Sequence, residues 1–94
     1  MEFEWDPAKA ASNLAKHGIS FVAAMRVFED PMAMIIRDHR DYGDETRYQA
    51  IGAVEGVILF VSVTLRGGVY RIINARRASR GERRAYSLQA RAGP

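Results

Sequence analysis

Two glycine-bearing turns frame one nearly uninterrupted apolar segment, and this arrangement strongly constrains the fold. Residues 57–65 are almost all apolar, which is typical of a central strand covered on both faces. Glu55-Gly56 and Gly67-Gly68, on either side, have the length and composition of two-residue hairpin turns. Strand-like segments at residues 47–54 and 69–76 therefore pair with the apolar strand on its two edges. The sequence predicts an antiparallel meander.

Two short helices are predicted ahead of the sheet. Asp6-Pro7 supplies an N-cap and a proline at the first helical position, and Gly18 suits the left-handed residue that ends a helix. A second helix begins after Ser20 and stops at Asp30-Pro31. In the first helix we expect small and apolar side chains inward and polar ones outward, namely Ala11, Leu14 and Ala15 against Lys9, Ser12, Asn13 and Lys16.

A third helix is predicted at the C-terminal end, where Ser79 and Glu82 have the spacing of a capping box. Its inward stripe is expected to be Gly81, Ala85, Leu88 and Ala92, and its outward stripe Arg80, Arg84, Ser87 and Arg91. A fourth strand at residues 34–39 precedes a polar loop at residues 40–44. The predicted fold class is α+β: two N-terminal helices packed on a four-stranded antiparallel meander sheet, with a C-terminal helix, in one domain over residues 1–94.

Arginine is concentrated in the C-terminal part of the chain. From residue 67 onward there are seven arginines and one acid, Glu82, whereas residues 1–66 hold seven cations and ten acids. A planar guanidinium binds phosphate through two parallel hydrogen bonds, which a lysine ammonium does not do. The asymmetry favours a nucleic-acid partner over a basic helix that only faces water.

Several classes of protein are excluded by composition. The absence of cysteine rules out disulfides, thiolate zinc sites and cysteine nucleophiles. No apolar run approaches the roughly 20 residues of a membrane span, and the N-terminus is unlike a signal peptide, so we expect a cytoplasmic protein with no membrane partner. His17 and His39 lack the spacing of metal ligands, and no nucleotide-binding fingerprint is present. We expect neither a metal nor a cofactor.

Cross-strand partners can be counted outward from the two turns. Thr64 is expected to face Arg71 across one turn and Arg47 across the other. Directly opposed residues share a face of the sheet, so Arg47, Thr64 and Arg71 form one row across three strands. Because the alternate positions on these strands are apolar, the row is expected on the face opposite the first two helices.

The same counting extends the predicted surface. Arg66 lies on the face of the arginine row, and Ser62 is expected to face Gln49 on one side and Ile73 on the other. We expect the third helix to cover the end of this face that carries Ile51. The other end is then predicted to stay open, with a cationic, hydroxyl-lined surface.

Motifs along most of the chain resemble those of the BrnT family of bacterial toxins, which belong to type II toxin–antitoxin modules and have a fold like that of the RelE endoribonucleases. The matching segments are Phe3-Glu4-Trp5-Asp6 with Lys9-Ala10 and Asn13, Lys16-His17-Gly18, Ser20-Phe21, Val27-Phe28-Glu29-Asp30-Pro31, Glu45 to Arg47 with Ile51-Gly52, and Arg71 to Ala78 with Glu82-Arg83 and Tyr86. Asn74 departs from the family, which usually has serine there.

The resemblance implies a ribonuclease that blocks translation. It also implies a cognate ribbon-helix-helix antitoxin, a heterotetramer of two toxins with an antitoxin dimer, and operator DNA bound only through the antitoxin.

Metal-independent RNA cleavage needs cations to stabilise the phosphorane, a base for the 2′-hydroxyl and an acid for the leaving oxygen. Arg47 and Arg71 are the candidates for binding the phosphate, His17 for proton transfer near neutral pH, and Glu82 for the base. The candidates for binding RNA are Lys16, Arg66, Arg76, Arg77 and Tyr86, of which Tyr86 could stack on a base or donate a proton.

Each candidate also has a structural interpretation. His17 suits the C-terminal end of a helix dipole, Glu82 suits the capping box alone, and Tyr86 suits a partly buried aromatic position. Arg66 and Arg77 are more readily explained as surface or ion-pair residues. At the level of function, two alternatives stay open: a domain that binds nucleic acid without cleaving it, and a module that docks an acidic protein such as the antitoxin.

Overall fold

The computed structural model describes residues 1–92, apart from the side chain of Asp41, and this part of the chain forms five strands and three α-helices. The elements are β1 (Glu2–Glu4), α1 (Pro7–His17), α2 (Phe21–Arg26), a 3-10 turn (Val27–Glu29), β2 (Met34–Tyr42), β3 (Glu45–Val54), β4 (Val57–Arg66), β5 (Val69–Arg77) and α3 (Arg80–Ala92). The strand order is β1-β5-β4-β3-β2, so β4 is central, as its apolar sequence predicts.

The α+β class is confirmed, but the predicted four-stranded antiparallel sheet is wrong, because β1 adds a fifth strand parallel to β5. A strand of three residues is too short to show the alternation by which strands are recognised. Packing holds it in place instead: the Phe3 ring lies 5.1 Å from that of Phe28 and 5.9 Å from that of Tyr70. β2 also continues to Tyr42, so a two-residue turn replaces most of the predicted polar loop.

The two predicted hairpin turns fix the register of the central strands. Both positions of each turn have positive φ, with 50° and 81° at Glu55-Gly56 and 59° and 80° at Gly67-Gly68, as in type I′ turns. Arg47 consequently pairs with Thr64, and Thr64 with Arg71, as the sequence predicts.

The cross-strand partners counted from the turns are wrong at one position on β5. Ser62 pairs with Asn74 rather than with Ile73, while the preceding pair remains Val63 with Ile72. Ile73 is therefore an extra residue, a β-bulge, and it shifts all later residues of β5 by one position. The bulge lies beyond the arginine row and leaves that row intact.

The core lies on one face of the sheet, beneath α2 and the 3-10 turn. Phe21, Ala24 and Val27 pack there against residues of three strands, namely Ala50, Val54, Leu59, Val61, Val63, Ile72 and Ala75. Gly52 in β3 allows the close approach, because a Cβ at this position would lie 2.9 Å from Cγ1 of Val27 and 3.1 Å from its carbonyl oxygen.

Helix α1 packs along the edge of β5 and buries a different face from the one predicted. Ala11, Leu14 and Ala15 are all exposed, and the buried residue is Asn13. The Asn13 amide donates to the carbonyl oxygen of Ala75 at 2.8 Å and accepts from the Ala75 N–H at 3.1 Å. Asn13 thus provides the hydrogen bonds that a neighbouring strand would provide, at a point on β5 beyond the end of β1.

Helix α3 lies on the opposite face of the sheet, turned about its axis from the predicted orientation. Of the predicted inward stripe only Ala85 is partly buried, while Gly81, Leu88 and Ala92 are exposed. The partly buried residues are Glu82, Ala85, Tyr86, Gln89 and Ala90. The predicted outward stripe, Arg80, Arg84, Ser87 and Arg91, is exposed as expected. No helix within residues 1–92 is long and apolar enough to cross a membrane.

Candidate nucleic-acid interface

One row of opposed residues crosses all five strands. The partners are Glu4 with Arg71, Arg71 with Thr64, Thr64 with Arg47, and Arg47 with Asp38. Arg47 and Arg71 therefore share a face, as predicted, with their backbones about 10 Å apart across two strand spacings. An acid stands at each end of the row, so the two arginines lie at its centre.

The open face presents guanidinium groups more than hydroxyls. Thr64, between the two arginines, is only 5% exposed, which contradicts the predicted hydroxyl-lined surface at this position. The Arg71 side chain is 47% exposed and that of Arg47 is 37% exposed. Arg66, two residues beyond Thr64 on β4, has a side chain that is 70% exposed, and strand alternation places it on the same face.

Arg47, Arg66 and Arg71 form loose ion pairs on this face. Each lies farther from its carboxylate than the roughly 2.7–2.9 Å of a charge-assisted hydrogen bond. The pairs are Arg71–Glu4 at 3.3 Å, Arg47–Glu45 at 3.7 Å and Arg66–Asp44 at 3.8 Å. Exposed pairs of this kind contribute about 0–1 kcal/mol, so a phosphate could replace the carboxylates at little energetic cost.

Tyr42 and Asp38 surround Arg47, and both were missed in the sequence. The Cζ atom of Arg47 lies 4.0 Å from the centre of the Tyr42 ring, and the Tyr42 hydroxyl donates to Asp38 at 2.7 Å. Hydrogen bonds from Arg40 and from Tyr42 hold the pKa of Asp38 well below its usual range, and the bond to Asp38 raises the pKa of Tyr42. Sequence spacing gave no signal because the contacts depend on the irregular end of β2.

Glu82 and Arg76 are bound to each other. The two carboxylate oxygens of Glu82 accept from the two terminal nitrogens of Arg76 at 2.8 and 3.0 Å, and the predicted capping box with Ser79 is present. The hydrogen-bonded ion pair with Arg76, and to a smaller extent the hydrogen bonds with Ser79, lower the pKa of Glu82, although partial burial acts to raise it. The Cζ atom of Arg76 also lies 4.0 Å from the centre of the Phe60 ring. Both groups therefore have a firm structural role in holding α3 to the sheet.

Arg77 lies apart from the other candidates. It pairs with Leu59, a core-facing residue, whereas Arg76 pairs with Phe60 on the opposite face. Arg77 also lines a separate cavity with Arg83, near the Glu55-Gly56 turn. The two consecutive arginines consequently point to different sides of the sheet, and Arg77 does not extend the arginine row.

Tyr86 is hydrogen-bonded to Asp30. Its hydroxyl donates to Oδ2 of Asp30 at 2.6 Å, and the same oxygen accepts from the backbone N–H of Ala53 at 2.8 Å. Burial raises the pKa of Asp30, but the hydrogen bonds from Ala53, Tyr86 and Met32 outweigh it and the pKa is lowered. The bond to Asp30 and partial burial raise the pKa of Tyr86 to about 12. Asp30 thus links the 3-10 turn region, β3 and α3.

We expect this bond to make stability depend on pH in the alkaline range. Tyr86 has a pKa of about 12 in the folded protein and about 10 in an unfolded chain, so its contribution is complete below pH ~10 and is lost as pH rises through the folded value. Urea unfolding of Tyr86→Phe should show a deficit of about 1 kcal/mol at neutral pH. The deficit should shrink between pH ~10 and ~12; a constant deficit would contradict the assignment.

His17 and Lys16 lie in a different place from the arginine row. They line a cleft of about 230 Å³ between α1 and β5, together with Lys9, Ser12, Asn13, Ile73 and Asn74. Within the described residues the His17 ring has no hydrogen bond or ion pair, and it is half-buried. Asn74, opposite Ser62, connects the cleft with the open face, and its Oδ1 is buried with no hydrogen-bond partner among residues 1–92 as described. Arg47 and Arg71 are not part of the lining.

Comparison with known protein families gives a match over most of the chain. The family is described as "Ribonuclease toxin, BrnT, of type II toxin-antitoxin system", and its model matches residues 5–82. The match includes Arg47, Arg71, His17 and Glu82 and ends before Tyr86. A comparison with curated proteins finds no match.

Proposed function

Since the chain belongs to the BrnT family of ribonuclease toxins from type II toxin–antitoxin systems, we propose that it cleaves RNA without a metal ion, by attack of a 2′-hydroxyl on the adjacent phosphodiester. The observation that carries the proposal is the pairing of Arg47 and Arg71 with Thr64 between them, on the open face. Two guanidinium groups at this separation can bind the same phosphate from either side.

In this reaction the 2′-oxygen forms a bond to phosphorus and the bond to the 5′-oxygen breaks, leaving a 2′,3′-cyclic phosphate and a 5′-hydroxyl. Negative charge grows on the equatorial oxygens in the transition state, where Arg47 and Arg71 would stabilise it. Arg66 and Arg76 lie on the same face and would bind neighbouring phosphates, as would Lys16 from the cleft beside β5.

Proton transfer would involve groups that are free to exchange a proton. His17 has no hydrogen bond or ion pair within the described residues, and an imidazole is the side chain type suited to proton transfer near neutral pH, so we propose it as the acid. Glu82 binds Arg76 with both oxygens, so we propose that it positions Arg76 and acts as the base only if that pair opens. Glu4 and Glu45, beside the two arginines, are further candidates for the base.

Membership of the family implies a cognate antitoxin and an RNA target. We propose further that the antitoxin is a ribbon-helix-helix protein that forms a heterotetramer of two toxins with an antitoxin dimer. Operator DNA would be bound only through the antitoxin. RNA cleavage in the cytoplasm would block translation until the antitoxin binds.

The test is incubation of the pure protein with labelled single-stranded RNA in EDTA. We expect fragments that carry a 2′,3′-cyclic phosphate and a 5′-hydroxyl, because no metal ion is required to activate the internal nucleophile. The matched control is the same oligonucleotide with 2′-deoxyribose at the sites of cleavage, which should stay intact. Gel electrophoresis with end-group analysis reads out both.

Binding without cleavage is the alternative function, and it is favoured by the engagement of both Glu82 and Tyr86 in structural hydrogen bonds. A gel shift on intact RNA in the absence of fragments would establish that alternative. Cleavage that appears only when Mg²⁺ is added would contradict the proposed mechanism.

A further inference from the structure

Arg47 is restrained by an aromatic ring more than by hydrogen bonds. Its Cζ atom lies 4.0 Å from the centre of the Tyr42 ring, well within the roughly 6 Å range of a cation–π contact. Within the described residues its Nε atom is buried without a hydrogen-bond partner, and the Glu45 carboxylate is 3.7 Å from a terminal nitrogen. The ring is therefore the main restraint on the orientation of the guanidinium group.

The Tyr42 ring is itself anchored. Its hydroxyl donates to Oδ2 of Asp38 at 2.7 Å, and the Asp38 side chain is only 10% exposed. Arg40 donates to the same carboxylate at 2.6 and 3.0 Å. A ring with a hydrogen bond at one end and its backbone in the strand at the other has little freedom to leave Arg47.

The irregular end of β2 makes this arrangement possible. Asp38 stands directly opposite Arg47, but regular pairing then breaks and resumes only where Tyr42 faces Glu45. The interruption allows Tyr42, four residues beyond Asp38, to reach back to that carboxylate and to lie against Arg47 on the neighbouring strand.

We propose that Tyr42 is a positioning residue for Arg47, which it holds in the orientation that binds an RNA phosphate. The inference rests on the proposed function, because it assumes that Arg47 contacts RNA. A guanidinium group that stacks on a ring face keeps its N–H groups available for a phosphate. An arginine that is ordered before binding also loses less conformational freedom on binding than a free one.

The test is a double-mutant cycle read by fluorescence anisotropy, with a labelled single-stranded RNA that is 2′-O-methylated throughout and so resists cleavage. Tyr42→Leu should raise the Kd about threefold to fivefold. Tyr42→Phe keeps the ring against Arg47 and loses only the bond to Asp38, so its Kd should rise less, by about twofold at most. In an Arg47→Ala background, Tyr42→Leu should cause no further loss, because its effect passes through Arg47.

A second measurement does not depend on the leucine variant folding. In a ¹H–¹⁵N spectrum, the Arg47 Nε–H signal of the wild type and of Tyr42→Phe should show the upfield shift that a ring face produces. Absence of that shift in the wild type would overturn the inference. Equal losses of RNA affinity for Tyr42→Phe and Tyr42→Leu would also overturn it. So would a Tyr42→Leu loss that is as large in the Arg47→Ala background as in the wild type. If Arg47→Ala itself leaves the Kd unchanged, the proposed RNA site fails as well. A loss for Arg47→Ala with none for Tyr42→Leu overturns only the role of Tyr42.

Discussion

Replacing Arg71 or Arg47 by alanine is expected to lower kcat/KM for RNA cleavage by about 10²-fold in each case, the usual cost of removing a group that stabilises transition-state charge. The two losses should not multiply in the double variant, because both side chains are proposed to bind the same phosphate. Single-turnover cleavage of a labelled RNA, measured at fixed ionic strength, gives these ratios.

The salt dependence of binding separates phosphate contacts from general loss of structure. With single-stranded RNA, each phosphate contact that is removed should reduce the slope of log K against log salt by about 0.7. A variant whose folded fraction falls, but whose folded form keeps its phosphate contacts, would lose apparent affinity without this change of slope, and thermal unfolding identifies it directly.

Arg26 provides a matched control for Arg71. Its guanidinium lies 3.3 Å from Glu55, as that of Arg71 lies 3.3 Å from Glu4, and the two arginine side chains are 46% and 47% exposed. Arg26 belongs to α2, on the core side of the sheet, so Arg26→Ala removes an equal charge from an equally loose pair away from the arginine row. Equal losses of cleavage for Arg26→Ala and Arg71→Ala would show that net charge, not the row, determines activity.

The arginine row could be predicted from sequence because its register depends on local geometry. Two-residue turns with glycine at positive φ allow only a narrow choice of register, so Thr64 could be placed between Arg47 and Arg71 by counting. Counting from the turns fails at Ile73, because nothing in the sequence around this residue indicates a bulge.

The surroundings of the row could not be predicted, because they depend on contacts between distant segments. Glu4 reaches Arg71 only through a parallel pairing of β1 with β5, and Tyr42 reaches Arg47 only through the irregular end of β2. For α3, the small residues Gly81 and Ala92 suggested the wrong face. The helix turns instead to place Glu82 on Arg76, because a bidentate ion pair fixes its rotation.

Contacts between distant segments also explain why the buried face of α1 was predicted wrongly. Here one buried polar residue outweighs the apolar pattern. Asn13 makes three hydrogen bonds, to the N–H and carbonyl groups of Ala75 and to the carbonyl of Ile19. A hydrophobicity pattern assigns asparagine to the outside of a helix, and here it assigned Leu14 to the inside. The structure reverses the two, because the edge of β5 needs hydrogen bonds more than it needs apolar cover.

Asn13→Ala is therefore expected to lower the free energy of unfolding by about 3 kcal/mol, since it leaves backbone groups of Ala75 and Ile19 without partners. In a domain of this size the melting temperature should fall on the order of 10–20 °C. The control is Leu14→Ala on the adjacent position, where the side chain is 51% exposed and the expected cost is within about 0.5 kcal/mol. Thermal unfolding followed by circular dichroism compares the two. A larger loss for Leu14→Ala than for Asn13→Ala would mean that the apolar pattern, and not the asparagine, determines how α1 packs on the sheet.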